Sequence, residues 1–283
     1  MPPRQTPTAR QLRLGVELRK LRERAGLTAR EAGELLGANQ ARISNIETGR
    51  FGLSEQRIRT LAQHYDCTDE ALIDALVVMA AHRKRGWWEE YREMLHTSQL
   101  DLAEFEHHAT ALRVSHALHI PGLLQTPGYI RALFDGAVPR LSPPDVEHRI
   151  SFRIKRQEVL YRDSPTPYSA IIHEAALRMQ FGGAATTREQ LKHLTEMSER
   201  NAISLRVIPF THGVFPGSGQ SVGYFSGLVR QLDTVQLDQS HGALLLDAEA
   251  QLQKYALLLD RMESIALEPT ASRDFIHRIA TEL

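Results

Sequence analysis

Cysteine is all but missing from this chain of 283 residues: Cys67 is the only one. A disulfide framework and a cysteine-based metal cluster are both excluded. Long apolar runs are missing too. Hydrophobic residues make up 42% of the chain, enough for an ordinary core, but there is no run of about eighteen, the length needed to cross a bilayer. No membrane association is expected. Met1-Pro-Pro-Arg4 lacks the pattern of a secretion signal, so a cytoplasmic protein is expected. Net charge is absent as well, with 34 basic residues against 34 acidic ones. The balance is uneven along the chain. Residues 1–64 hold 12 Arg or Lys and 6 Asp or Glu, a surplus of +6, which leaves −6 for the rest. A basic N-terminal module on an otherwise acidic chain suits phosphate binding.

What is present in that module is a pair of short helices joined by a tight turn. Thr28 and Glu31 have the spacing of a capping box, in which each side chain satisfies a free N–H at a helix start. Gly37 stands where that helix must stop, since only glycine enters the left-handed region cheaply. Asn39 caps the next helix, which runs to about Thr48. Its Ile43 and Ile46 face inward, whereas Gln40, Ser44 and Asn45 point elsewhere. The pattern is a helix-turn-helix with a recognition helix. Leu14, Leu18 and Leu21 mark an earlier helix from about Gln11 to Arg24, ended by Gly26. Ser54 caps a fourth, with Leu53 and Ile58 spaced as a hydrophobic staple and Leu61 continuing the stripe. A fifth starts after Thr68 and carries Leu72, Ile73, Leu76, Val77 and Met79. Five helices over residues 10–84 make one domain, preceded by a disordered tail over 1–9.

Residues 10–80 resemble the lambda-repressor/Cro-like helix-turn-helix family through Leu27-Thr28, Glu31, Leu36-Gly37, Ile43-Ser44, Ile46-Glu47 and Gly49. The resemblance implies binding of double-stranded DNA. Base edges would be met by Gln40, Ala41 and Asn45, and phosphates by Arg42 and Arg50, with Asn39 and Ser44 completing the DNA-facing set. It also implies a structural ion pair between Arg22 and Glu47. Family members often have Gln where Ala29 stands, so one usual contact at the start of the second helix is missing.

The helix-turn-helix uses under a third of the chain, so a second domain is expected over 100–283. Basic residues at 82–85 and then Gly86 suggest a helix stop, with a linker over 85–99 whose Trp87 and Trp88 pack on the second half. Residues 100–135 read as helical with a break at Pro121-Gly122, and a helix follows from Asp145 to Arg162. Strands are expected at Tyr168–Ile172, Ile203–Pro209, Ser221–Val229, Thr234–Leu237 and Ala243–Leu246, with a helix at Glu189–Arg200. Helices Glu249–Ile265 and Thr270–Thr281 close the chain. The fold class is α+β.

This half also resembles a known family, through Leu118–Thr126, Arg153–Gln157, His173–Leu177, Gln190–Leu194 and Val207–Phe210. The blocks resemble the actinobacterial WhiJ-like, antitoxin-like transcriptional regulators, which join a Cro-like domain to a C-terminal domain of unknown function. That resemblance implies a small partner protein encoded nearby and no known chemistry for the second domain. A homodimer held mainly by residues beyond 87 is expected as well, with 100–283 as the receiver and dimerisation domain, because one recognition helix reads too few base pairs to single out an operator.

Enzymatic readings find little to build on. Glu104, His107, His108, His116 and His119 suggest a metal cluster on paper, but a helix-borne metal site needs a second such motif, and none is present. Gly217-Ser-Gly219…Gly223 lacks the strand-before, helix-after context of a dinucleotide loop and reads as a turn. No cofactor is expected. Arg149, Arg153 and Arg156, spaced four and three apart, line one helix face that could hold an anion or an acidic partner, and Glu174 is their candidate counter-ion. These four residues are the candidate site for a small-molecule effector or a protein partner; a solvated or internally paired stripe is the alternative. The resulting expectation is a non-enzymatic regulator, repressor-like or not, as opposed to a DNA-recruited enzyme or metal-dependent domain.

Overall fold

Polar side chains set the helix starts in the first third of the chain. The computed structural model describes residues 6–81, 86–239 and 242–283, with Ser218 described by its backbone alone. These residues fall into two compact units. One takes the chain up to residue 90 together with 99–105; the other takes 91–98 and 106–283.

The first unit opens with α1, Ala9–Arg24, two residues ahead of the expected start. Thr8 Oγ1 accepts from the Gln11 N–H while Gln11 Oε1 accepts from the Thr8 N–H, a second capping box. Thr8 and Ala9 therefore do not belong to the disordered tail expected over 1–9, and residues 1–5 lie outside the described residues. The Thr28–Glu31 box starts α2, Ala29–Leu35. Gly37, at φ +60, makes the turn. Asn39 accepts from the Arg42 N–H at 3.0 Å and starts α3, Gln40–Glu47. Ser54 caps α4, Glu55–His64. At α5, Glu70–Ala81, the Asp69 carboxylate accepts from the Leu72 N–H at 3.0 Å. Leu18, Ile43, Ile46, Ile58, Leu61, Ile73 and Leu76 are buried between these helices.

Two features fix α3 on α1. Arg22 Nε donates to Glu47 Oε1 at 2.6 Å and its Nη2 to Oε2 at 3.1 Å, the ion pair that the Cro-like pattern implied. The third nitrogen, Nη1, donates to the Leu27 carbonyl at 2.6 Å, so the fork also holds the entry to α2. Beside it, α1 comes so close to the end of α3 that a Cβ on Gly15 would overlap the Glu47 carbonyl and lie 2.8 Å from the Ile46 oxygen.

α6, Thr97–His108, belongs to both units: Gln99–Phe105 to the first and the rest to the second. Within the first unit, the Ala9 N–H donates to Asp101 Oδ1 at 2.9 Å. Arg10 Nη1 donates to the Met79 carbonyl at 3.0 Å. The buried Glu104 faces Thr8 and Arg10. The span 85–99, expected as a linker, instead holds a 3-10 helix, Trp87–Tyr91, and the start of α6. Trp87 and Trp88, expected against the second half, fall with the first unit. Trp88 is only 3% exposed, and its ring occupies the space a Cβ on Gly86 would need. The basic residues of 82–85 lie outside the described residues.

The second unit is α+β, built on a six-stranded mixed sheet in the order β3-β2-β1-β4-β5-β6. These are β1 (Ala111–His116), β2 (Tyr168–His173), β3 (Ile203–Ile208), β4 (Val222–Ser226), β5 (Thr234–Gln239) and β6 (Gly242–Leu246). The first three are parallel; β4, β5 and β6 continue antiparallel. β1, at the centre, falls in the stretch expected to be helical, because its buried positions are Leu112 and Ser115 and do not alternate. Helices α7 (Pro127–Asp135), α8 (Pro143–Arg156), α9 (Glu174–Arg178), α10 (Gly183–Met197), α11 (Glu249–Ile265) and α12 (Pro269–Glu282) complete the unit. α8 starts earlier than expected, at the Pro pair behind the Ser142 cap, and gives way at Gln157 to a 3-10 turn. Leu252, Leu259 and Met262 of α11 pack on Ile171, Val222, Val235 and Leu237. Arg113 reaches Asp260 on that side at 2.7 Å. Since strand side chains alternate, Val114 and His116 face the opposite side, as do Gln236 and Asp238 of β5 through their shared rows.

The Gly15 contact yields a test. Gly15→Ala should destabilise the first unit by about 1–3 kcal/mol, the usual cost of overpacking a tight contact. Urea unfolding of the full chain, followed by circular dichroism, should show an earlier helical transition; an unchanged midpoint would mean that the contact yields freely.

Candidate DNA-binding face and a polar recess

On α3 the inner positions are filled by Ile43 and Ile46, both buried. Gln40, Ala41, Arg42 and Ser44 are exposed, and Asn45 is half-buried. The Asn45 carbonyl accepts from the N–H groups of Arg50 and Phe51 at 2.9 and 3.1 Å, which turns the chain just beyond the helix and leaves Arg50 at the surface. The basic residues of this unit divide into two kinds. Arg19 pairs with Glu23, Arg30 with Glu34, and Arg59 with both Glu55 and Asp74. Arg24, Arg42, Arg50 and Arg57 make no ion pair among the described residues, and of these Arg42 and Arg50 lie on or just beyond α3. Two uncommitted guanidinium groups therefore flank an exposed polar helix face, the arrangement in which charge can meet phosphates while amides meet bases. Asn39 is used by its cap and is exposed beside them.

The three arginines of α8 do not share one fate. Arg156 is buried in a two-pronged pair with Glu106, Nε to Oε2 at 2.7 Å and Nη2 to Oε1 at 2.6 Å. Burial works against its charge, but Glu106 more than offsets that and its pKa is raised. Arg153 Nη1 donates to Gln125 Oε1 at 2.7 Å, and its guanidinium lies 4.7 Å from the centre of the Phe134 ring. Burial pushes its pKa down to about 10, with Arg156 adding to the shift, so it is still charged at neutral pH. The Arg149 Nε is buried and has no hydrogen-bond partner. Glu174 is not their counter-ion. Its Oε1 accepts from Arg178 Nε at 2.6 Å and its Oε2 from the Phe210 N–H at 2.8 Å. The carboxylate that meets the arginine face is Glu106, fifty residues upstream of Arg156.

Residues 13–76 match the helix-turn-helix domain family, and residues 99–278 match the domain of unknown function DUF5753. The chain belongs to the DUF5753 family. Its first domain matches a helix-turn-helix, which points to a DNA-binding regulator. No curated protein and no solved structure matches it. Among the described residues, no helix is long and apolar enough to cross a membrane.

Within the DUF5753 domain, His116 and His119 approach each other with their Nδ1 atoms 3.3 Å apart. Burial, then His119 and Arg153, lower the His116 pKa to about 3; burial also lowers that of His119. At neutral pH both rings are uncharged, and one donates to the other. The histidines and Glu104 do not gather into one group. His107 and His108 stack edge to face with each other, Glu104 lies with the first unit, and no metal-holding set of three is found among the described residues. The Gly217–Gly219 stretch is a 3-10 turn ahead of β4. What sequence reasoning missed is that His116, at the end of β1, lies within electrostatic reach of Arg153. The signal was weak, since it required β1 to be a strand.

Two desolvated groups tilt stability with pH in opposite directions. Burial raises the Glu104 carboxyl to about 7, with Thr8 and Arg10 pulling the other way. The unfolded chain gives up that proton first, so the contribution is complete below about pH 4.5 and lost as pH rises through about 7. For His116 the unfolded chain takes the proton first, so stability falls as pH drops from 6.5 toward about 3. Urea unfolding across this range should show Glu104→Gln removing the first loss and His116→Gln the second. Unaltered profiles in both variants would contradict the assignment.

Proposed function

We propose that the chain is a transcriptional regulator that binds its operator as a homodimer through α3, and that its DUF5753 domain is a non-catalytic receiver of a protein or small-molecule signal. The observation that carries the DNA-reading half is the exposed α3 face with Gln40, Ala41, Ser44 and Asn45, flanked by the uncommitted Arg42 and Arg50. The WhiJ-like, antitoxin-like subfamily is our reading of the second half, and with it a small partner protein encoded nearby. The receiver reading is supported by the use to which the buried carboxylates are put. Glu106 holds Arg156, and Glu174 holds Arg178 and the Phe210 N–H, so both are taken up by partners within the fold. Coupling to DNA is supported by α6, one continuous helix that places Glu104 in the first unit and Glu106 in the second. Coupling between two sites is typically about 1–3 kcal/mol, or roughly 5- to 150-fold in affinity.

The test of the reading face is binding-site selection. Gln40→Ala should relax preference at one base position by about 1–3 kcal/mol, whereas Arg50→Ala should weaken all sequences alike and reduce the salt slope by about one. Unchanged preference in Gln40→Ala would remove the residue from the base-reading set.

The dimer expectation has its own measurement. Two recognition helices on a two-fold axis would sit about 34 Å apart along the duplex. Light scattering of the full chain at micromolar concentration, free and on operator DNA, should give twice the chain mass; a monomer in both states would sink it.

A further inference from the structure

The two edges of the six-stranded sheet are finished differently. Along β3 the backbone of Val207 is taken up within the chain: its N–H donates to Ser272 Oγ at 3.0 Å, and its carbonyl accepts from the Leu267 N–H at 2.8 Å. Ser272 is itself buried, so α12 and the turn before it seal that edge. Along the other edge, β6 is paired with β5 alone, in a register running from Val235↔Leu246 to Gln239↔Gly242. Among the described residues no other backbone group and no side chain hydrogen-bonds to β6. The N–H and C=O groups that point away from β5 are open to water or to another strand.

Folded chains normally protect an open edge with a lysine, a proline, a bulge or a covering segment. β6 has none of the first three. It reads Gly242-Ala-Leu-Leu-Leu246 in unbroken register, and Leu244 at its middle is 42% exposed. Leu244 and Leu246 lie on the α11 side, in the rows of Leu237 and Val235, while Ala243 and Leu245 lie on the other.

The order of side-chain sizes says what fits this edge. Antiparallel pairing with a second β6 about Leu244 sets Leu246 beside the partner's Gly242 and Leu245 beside the partner's Ala243. Large meets small at every pair off the axis. A Cβ at Gly242 would meet nothing within 4 Å, so a leucine has room there. A residue on a two-fold axis faces its own copy, which bars a charge at that point; Leu244 is neutral, and so is every residue of β6. Parallel pairing in register would instead set glycine on glycine and leucine on leucine.

We propose that β6 is the dimerisation edge of the DUF5753 domain, pairing antiparallel with β6 of a second copy about Leu244 and joining the two sheets into one. The inference rests on the homodimer reading above and gives it an interface. Five residue pairs make a short seam beside the total of about 1,200 Å² or more buried in a stable interface. The dimer should therefore be reversible, with a population that rises through the micromolar range.

Light scattering of the full chain over a micromolar concentration series tests it, and the unaltered chain should move from monomer to dimer. Leu244→Lys sets two ammonium groups face to face on the axis. It should weaken the dimer about tenfold or more while leaving the circular dichroism of the monomer unchanged. The register has its own test. Ala243→Leu should weaken the dimer by crowding the partner's Leu245, and Leu245→Ala should weaken it by leaving a gap. The two together should restore it, because exchanging the sizes keeps large against small. If Leu244→Lys does not fold, this exchange decides alone. A dimer indifferent to Leu244→Lys, or a double variant no tighter than either single one, overturns the strand pairing and leaves the homodimer reading to another surface. A chain that stays monomeric in free solution also overturns it, and one that stays monomeric on operator DNA as well removes the homodimer reading too. Binding of the neighbouring small protein to such a monomer, lost in Leu244→Lys, would assign the edge to that partner instead.

Discussion

The position of α3 depends on one buried ion pair. Arg22 spends all three guanidinium nitrogens, two on Glu47 at the end of the recognition helix and one on the Leu27 carbonyl at the entry to the helix before it. A buried pair of this kind adds little net stability, because desolvation offsets its attraction, but losing one partner leaves a stranded charge. Its value here is geometric. Both ends of the helix-turn-helix are referred to the same side chain on α1, and the missing Cβ at Gly15 lets α1 come close enough for that. The outward face of α3 is then free to carry residues chosen for something other than folding.

Local signals in the sequence were legible, and distant partners were not. The Thr28–Glu31 box, the Gly37 turn and the Asn39 cap are each confined to a few residues, and they lie where spacing alone places them. Thr8 and Gln11 form the same kind of box, but Gln in place of Glu and the lack of an apolar run before it hid the start of α1. β1 gives no strand signal, because a six-residue strand with a buried serine carries no clear period. Without that signal the centre of the sheet is not legible, nor is the approach of His116 to Arg153. Helical spacing places Arg149, Arg153 and Arg156 three and four residues apart along α8 but says nothing of their partners. Glu174 looked available, but an arginine four residues on claims it, as helical spacing favours. Glu106 could be found only through the fold.

The DUF5753 domain thus divides its charged groups into those that are matched and those that are not. Glu106–Arg156 and Glu174–Arg178 are matched, and they tie α6 to α8 and α9 to the loop at Phe210. Arg153, the Gln236 carbonyl oxygen and the neutral histidine pair are not matched by charge or by hydrogen bond to the same degree.

The seven residues Gln99–Phe105 carry a consequence for how such chains can be taken apart or recombined. By sequence they open the DUF5753 match; by packing they belong with the helix-turn-helix, where Asp101 caps the Ala9 N–H and Glu104 closes over Thr8 and Arg10. The boundary that a family comparison draws and the boundary that the chain folds along are different lines. A fragment ended at the first line loses the brace of its own first helix. Two such regulators exchanging second domains at that line would also exchange that brace.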